Sequence, residues 1–155
     1  MQSRIMINCE LLESPLTDAL IDELVTCSKL LFNVAPDRLY ISKLNQYISP
    51  LALIARNKEG SIIGFKLGYA QSDDVFYSWL GGVHPQYRNI GVASEMINVQ
   101  HEWCKQKNFP MIRTKSHKEN QTMYALNHKH GFHVIGFDYS ILHGARLIFS
   151  KNFYS

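Results

Sequence analysis

Cysteine is scarce in this chain of 155 residues: Cys9, Cys27 and Cys104 are the three, far apart and without a C-x-x-C pair. An odd count at long spacing argues against a disulfide framework and a zinc knuckle, and it predicts a reducing, cytoplasmic setting. Each thiol is expected to pack as a small apolar group. Proline and glycine are also few, five and nine, which excludes a collagen-like or linker chain. A dominant charge is missing too. Sixteen Lys and Arg against 13 Asp and Glu leave a net charge of +3. That is little for a dedicated nucleic-acid binder, yet compatible with a small polyanionic ligand. Long apolar runs are absent: the uncharged stretches 44–55 and 75–87 contain Pro and polar residues, and both fall short of the ~20 apolar residues of a membrane span. The first eight residues carry no apolar h-region, so no signal peptide is expected.

What is present is an ordinary globular composition, 46% hydrophobic and 19% charged. The length predicts one domain over 1–155. Ile5–Asn8 reads as a first strand. Ser14 and Pro15 read as the N-cap and first position of a helix, which Leu16, Leu20, Leu24, Cys27 and Leu31 continue at helical spacing. Pro36 is expected to open a short second helix through Leu44. Leu51–Arg56, Ser61–Gln71 and Val75–Val83, separated by turn clusters, read as an antiparallel meander. Val92, Met96, Val99 and Trp103 form one apolar helical stripe. Met111–Ser116 is a strand, and Asn120 caps a helix over Gln121–His130 that ends at Gly131. Phe132–Ser140 and Arg146–Lys151 close the chain as strands. The order is β-α-α-β-β-β-α-β-α-β-β, with one parallel crossover in 75–116. The class is α+β, with a mixed, mostly antiparallel sheet flanked by helices.

The segment richest in chemistry is Val83-His84-Pro85-Gln86-Tyr87-Arg88-Asn89-Ile90-Gly91-Val92-Ala93-Ser94. A strand ends at Val83, Pro85 stops further pairing, and a helix begins among small residues. The first N–H groups of a helix have no internal acceptor and lie at the positive end of its dipole. Small side chains at Gly91 and Ala93 let an anion reach them, and Arg88 adds positive charge. A pyrophosphate suits such a place. An ordinary strand–loop–helix corner with a surface Arg is the competing interpretation. Neither a Walker loop nor a G-x-G-x-x-G fingerprint occurs.

Arg88-Asn89-Ile90-Gly91-Val92-Ala93 resembles the acyl-CoA-binding motif of the GNAT superfamily of N-acetyltransferases: Arg or Gln, two residues, Gly, one residue, then Gly or Ala. Asn120, followed eleven and twelve residues later by Gly131-Phe132, matches a second pattern of that family. The resemblance covers essentially the whole chain, best over 75–137. It implies an N-acetyltransferase that moves an acetyl group from acetyl-CoA, as co-substrate, to a primary amine by direct attack in a ternary complex. By the same resemblance, the backbone of Gly81, Gly82 and Val83 would pair with pantetheine. The N–H groups of Asn89, Ile90, Gly91, Val92, Ala93 and Ser94 would hold the pyrophosphate, and Asn120 would lie beside the pantetheine arm. A strand N–H at Leu80 or Gly81 would receive the thioester oxygen.

The pattern departs at the catalytic positions. Many relatives carry a Tyr, as acid for the leaving thiolate, where this chain has Asn127. Asn127 can hydrogen-bond the sulfur but cannot act as an acid. Tyr124, one turn earlier on the same helix, is the alternative. The strand Val75–Val83 lacks the Glu that some relatives use as base, and Lys115 stands where ribosomal-protein acetyltransferases of the superfamily have a carboxylate. His84, Asp73 and Asp74 are weak candidates for a base. Trp79, Tyr77 and Phe76 are candidates for an acceptor pocket, half of them expected in the core by strand alternation. His128, His130 and His133 cluster around Gly131, but His128 and His130 do not share a helix face, so no metal site is expected. A small-molecule or peptide amine is the expected partner, with no membrane, and a homodimer through an exposed closing strand is left open. Two other functions compete: a non-catalytic acyl-CoA-binding sensor or interaction module, motivated by the missing catalytic positions, and a nucleic-acid binder, motivated by the basic residues of 105–118.

Overall fold

The computed structural model describes residues 8–154. Seven strands run through the described residues: β1 (Asn8–Leu12), β2 (Leu51–Arg56), β3 (Ile62–Ala70), β4 (Val75–Val83), β5 (Met111–His117), β6 (His133–Ser140) and β7 (Gly144–Asn152). Four helices join them: α1 (Asp18–Leu31), α2 (Arg38–Ser42), α3 (Val92–Gln106) and α4 (Gln121–Lys129). The sheet order is β1-β2-β3-β4-β5-β7-β6, antiparallel except where β4 pairs β5. The expected class and element order hold. The expected first strand over Ile5–Asn8 falls mostly outside the described residues, and the strand that is described begins at Asn8.

The β2 segment reads as an unbroken apolar run because both of its faces are covered. On one face, Leu20, Ile21, Leu24 and Cys27 of α1 and Ile41 of α2 pack on Ala52, Ile54, Phe65 and Leu67. On the other, Trp103 and Cys104 of α3 meet Leu53, Phe76, Ile112 and Phe149, and Val92 and Met96 meet Ile63 and Val83.

Helix α1 starts later than Ser14-Pro15 suggested: Thr17 is its N-cap, its hydroxyl accepting from Leu20 N at 3.2 Å. The cause is a distant tether. The Asn45 side chain accepts from Leu16 N at 2.7 Å and donates to Leu16 O at 3.1 Å, holding the chain before the helix against the turn that follows α2. The second helix likewise starts after Pro36, with Asp37 as its cap, and tightens into a 3₁₀ turn at Lys43–Gln46.

At the other end of the chain, α4 stops in a Schellman motif. Gly131 has φ +89°, Phe132 N donates to Asn127 O at 3.0 Å and Gly131 N to His128 O at 3.1 Å. The Gly-Phe pair is thereby explained locally: Gly adopts the left-handed turn, and Phe132 inserts into the core beside α4.

The feature that positions the site is a fork. Strand β4 pairs with β5 only over Val75–Ser78 and Met111–Thr114. Beyond that rung β4 continues to Val83 beside β3, and β5 continues to His117 beside β7. Thr114 Oγ1 donates to Ser78 O at 3.0 Å at the crotch. The β3–β4 register shifts here, with Gly68 opposite Ser78 and Leu67 opposite Leu80. Trp79 is the extra, bulged residue, and a bulge adds twist that turns a strand away from its neighbour.

Candidate active site

One end of the site is the corner between β4 and α3. Asn89 and Gly91 both take left-handed backbone, φ +65° and +94°. The first helical bond runs from Glu95 N to Gly91 O at 3.0 Å, so the N–H groups of Val92, Ala93 and Ser94 have no acceptor in their own helix. A Cβ at Gly91 would meet nothing within 4 Å, so the helix end opens on free space. Arg88 is folded back: its Nε donates to Val83 O at 3.0 Å, fastening the loop to the strand end. The Ser94 hydroxyl lies 2.9 Å from His130 Nε2 and ties the start of α3 to the end of α4. His84 is not a free base. Its Nδ1 accepts from Gln86 N at 3.1 Å and caps the short turn Pro85–Tyr87. Asp73 and Asp74 lie in the turn before β4, about 20 Å along the strand from Gly81, too far to serve the fork.

The other end is the fork. His84 N donates to Ile63 O at 2.6 Å. Antiparallel pairing alternates, so the backbone groups of Gly82 and Leu80 point into the β3 ladder, while those of Gly81 and Val83 point toward the open side. Two expectations change. Leu80 N–H does not face the fork, and Gly82 offers no backbone group to a ligand there. Gly82 instead leaves room: a Cβ on it would come within 2.9 Å of Leu31 Cδ1. Gly81 N–H and C=O and Val83 N–H remain as the open edge, the Val83 carbonyl being taken by Arg88. A Cβ at Gly81 would lie 2.7 Å from Phe65 O, so the close approach of β3 requires glycine there.

Helix α4 follows the long arm of β5. Asn120 is its N-cap, accepting from Met123 N at 3.0 Å through Oδ1, which leaves its amide N–H₂ available. Tyr124 is 46% exposed and sets its ring edge-on to Phe149 at 5.8 Å. Asn127 is 4% exposed, and its Nδ2 is buried without a partner. A buried amide donor in that state calls for an acceptor.

Sequence reasoning missed Lys66. It lies opposite Gly81 in the β3–β4 register, with its Cγ 3.3 Å from where a Gly81 Cβ would be. Among the described residues no carboxylate pairs with it, and burial lowers its amine to about 8. The signal was a single charge inside the apolar run Ile62–Ala70. Its charge reaches His101, which burial, Lys151 and Lys66 together push down to about 3. Lys151 Nζ sits 3.1 Å from His101 Nδ1. The α3 side of the sheet thus gathers two lysines around a neutral histidine, with no carboxylate paired to the lysines among the described residues.

The opposite side carries a different set. Phe76 enters the α3 core, whereas Tyr77 and Trp79 face the α1–α2 side. Trp79 Nε1 donates to Tyr40 OH at 3.3 Å, and Tyr47 stacks on Tyr69 at 4.0 Å. Beyond these rings lies a cleft of about 200 Å³ lined by Gln71, Tyr77, Arg113, Lys115 and Ile148. Lys115 reaches Asp138 at 2.5 Å and lies over the Tyr77 ring at 5.9 Å. The basic residues of 105–118 do not form one strip. Lys105 pairs with Glu102, Lys107 with Glu13 and Lys115 with Asp138. The thiols are buried or half-buried and shifted away from reactivity, Cys104 up to about 12 by burial. Among the described residues no helix is long and apolar enough to cross a membrane.

The sequence pattern of the Acetyltransferase (GNAT) family matches residues 17–132. Among curated proteins none matches the chain. Among solved structures, Ard1 from Thermoplasma volcanium superposes with a TM-score of 0.82 at 16% identity, covering 95% of this chain and 99% of its own. The ribosomal-protein-S18-alanine N-acetyltransferase from Escherichia coli gives 0.80 at 12% identity, covering 95% and 94%. A GNAT family acetyltransferase from Elizabethkingia anophelis, solved with acetyl-CoA bound, gives 0.73 at 13% identity, covering 97% and 99%. At these identities the likeness concerns the fold.

Proposed function

The chain belongs to the acetyltransferase (GNAT) family, and from that premise we propose that it transfers an acetyl group from acetyl-CoA to a primary amine in a ternary complex. The observation that carries this reading is the fork with the free helix end at its mouth. Unpaired backbone donors run from Val92–Ser94 to Val83 and Gly81, a track suited to a pyrophosphate at one end and a thioester at the other.

In this reading the N–H groups of Asn89 through Ser94 hold the pyrophosphate. Gly81 and Val83 pair with the pantetheine amides, and Asn120 lies beside them. The amine nitrogen attacks the acetyl carbon, the C–S bond breaks, and the sulfur leaves with the bonding electrons. Gly81 N–H faces the oxygen on which charge develops. The unsatisfied Asn127 amide donates to the sulfur, Tyr124 supplies its proton, and the proton that the newly acylated nitrogen sheds, carried by water, restores Tyr124. Ordinary thiols ionise near 8.5, so the sulfur leaves without a strong acid. No carboxylate of the site is free to act as base, and the attacking amine reaches the fork already neutral by losing its proton to water.

The missing base motivates a second reading, a non-catalytic acyl-CoA-binding module. Turnover of acetyl-CoA with a panel of amines separates the two, because a module binds tightly without turnover. Thermal unfolding tests both: ligand at 100 times its dissociation constant adds about 2.7 kcal/mol. A folded protein unmoved by millimolar acetyl-CoA overturns both. The proposal extends to the setting and the assembly. Three free thiols suit a reducing cytoplasm. Edge strand β6, with Phe137 and Tyr139 76% and 74% exposed, suits pairing with a second copy, and a monomer mass in sedimentation would remove that element.

A further inference from the structure

The cleft beside the fork carries more positive charge than the protein itself neutralises. Strand alternation puts Arg113 and Lys115 of β5 on the same face as Tyr77 of β4. The β5–β7 and β6–β7 registers bring Ile148 opposite Lys115, and Arg146 opposite both His117 and Asp138. Arg113 and Lys115 therefore line the cleft beside Tyr77, and Lys115 and Arg146 meet at Asp138, the one carboxylate paired with any of these three cations among the described residues. Lys115 takes that carboxylate at 2.5 Å, and Arg146 Nε stays 3.7 Å from its other oxygen, too far for a hydrogen bond. Arg113 Nε and Arg146 Nε are both buried without a hydrogen-bond partner, as is Asp138 Oδ1, the oxygen that faces Arg146, so that Arg113 is the guanidinium with no carboxylate of the protein turned toward it among the described residues. A guanidinium N–H removed from water and left unmade is costly, and its natural partner is a carboxylate.

Resting on the acetyl-transfer reading above, we propose that the acceptor is an amine that also bears a carboxylate, and that Arg113 and Arg146 hold this carboxylate in the cleft. The cleft's position fits the role. Tyr77 pairs with Arg113 one rung before the fork, and Ser78 pairs with Thr114 at its crotch. Gly81 lies three residues further, about 10 Å along the strand. A carboxylate seated at Arg113 thus places an amine several bonds away at the fork. An ω-amino acid, or a peptide N-terminus followed by an acidic side chain, has that reach. The occupants of this face agree. Lys115 would repel a bare cationic amine, and Asp138, already taken by Lys115, offers it little.

The test has a binding arm and a turnover arm. Succinate serves as the anion probe, compared with chloride at matched ionic strength. The wild-type protein should unfold at a higher temperature in succinate, and Arg113→Gln and Arg146→Gln should each lose that shift while remaining folded. In turnover with acetyl-CoA, ε-aminocaproate should exceed hexylamine by about tenfold in kcat/KM, the difference lying in KM, and Arg113→Gln should erase it. Succinate acting no differently from chloride, or a shift that survives both substitutions, overturns the proposal, as does equal turnover of the two amines. Stabilisation by succinate in a protein that acetyl-CoA leaves unmoved would sink the acetyl-transfer reading while the anion site stands.

Discussion

The two faces of the sheet at the fork are built from different materials. The α3 face offers backbone: N–H groups at a helix start, an open strand edge, and glycines that keep side chains away. Its half-buried cations, Lys66 and Lys151, flank the neutral ring of His101 and have no carboxylate paired with them among the described residues. The α1–α2 face offers side chains drawn from four strands, where Asp138 partly offsets Lys115 and Arg146 and leaves Arg113 without an ion pair among the described residues. A backbone site is fixed by the dihedrals of a few consecutive residues, so it is common property of a fold. A side-chain site is fixed residue by residue, so one fold can keep one donor and change its acceptor.

The sharpest way to break this contrast is at Gly91. A carboxylate there would occupy the helix end with the wrong charge. Gly91→Glu should weaken acetyl-CoA binding at least a thousandfold in calorimetry, roughly 4 kcal/mol. Gly91→Ala should leave the site open, because a Cβ meets nothing within 4 Å, and should cost only about 1 kcal/mol of stability from the left-handed backbone. If the two variants bind alike, the helix end is not the anion site.

What the sequence made legible follows the same division. The helix start at Gly91, strand Val75–Val83 and the Gly131-Phe132 stop are local events, each set by a few neighbouring residues, and each lies where the pattern put it. The orientation of Gly82 and Leu80 was not legible, since it depends on pairing with β3. The pairing of Lys115 with Asp138 needs β5, β7 and β6 laid side by side in order. The late start of α1 depends on Asn45, 29 residues from Leu16. Even Lys66, visible as a lone charge, gains meaning only once Gly81 is opposite it.

The half-buried Lys66 of the α3 face gives the next largest effect. Lys66 has a folded value near 8 against 10.5 when exposed. The unfolded chain therefore binds more protons between those values, and stability rises with pH across that window. Below about pH 8 the buried charge is a standing cost. Lys66→Met should stabilise the protein at pH 7 by up to roughly 3 kcal/mol in urea unfolding, and the advantage should shrink as pH climbs toward 10.5. An advantage independent of pH would mean that packing, and not charge, is responsible.

His101 then separates the two faces by acid. Its folded value near 3 lies below the usual 6.5, so the neutral ring contributes stability that is present above 6.5 and is lost progressively as pH falls toward 3. From pH 7 to pH 5 this one residue should cost about 2 kcal/mol. Burial lowers His130 as well, with the same sign. On the other face Asp138 is held below 3.8, first by its bond to Lys115, and its contribution is lost only as pH falls beneath that value. His143, in the β6–β7 turn, is the one lowered group on that side that titrates with His101. His101→Gln, which keeps an acceptor for Lys151, should flatten the stability profile between pH 7 and 5. His143→Gln should change it less, because that ring is more open to water. If His143→Gln flattens the profile as much as His101→Gln, the acid response does not belong to the α3 face.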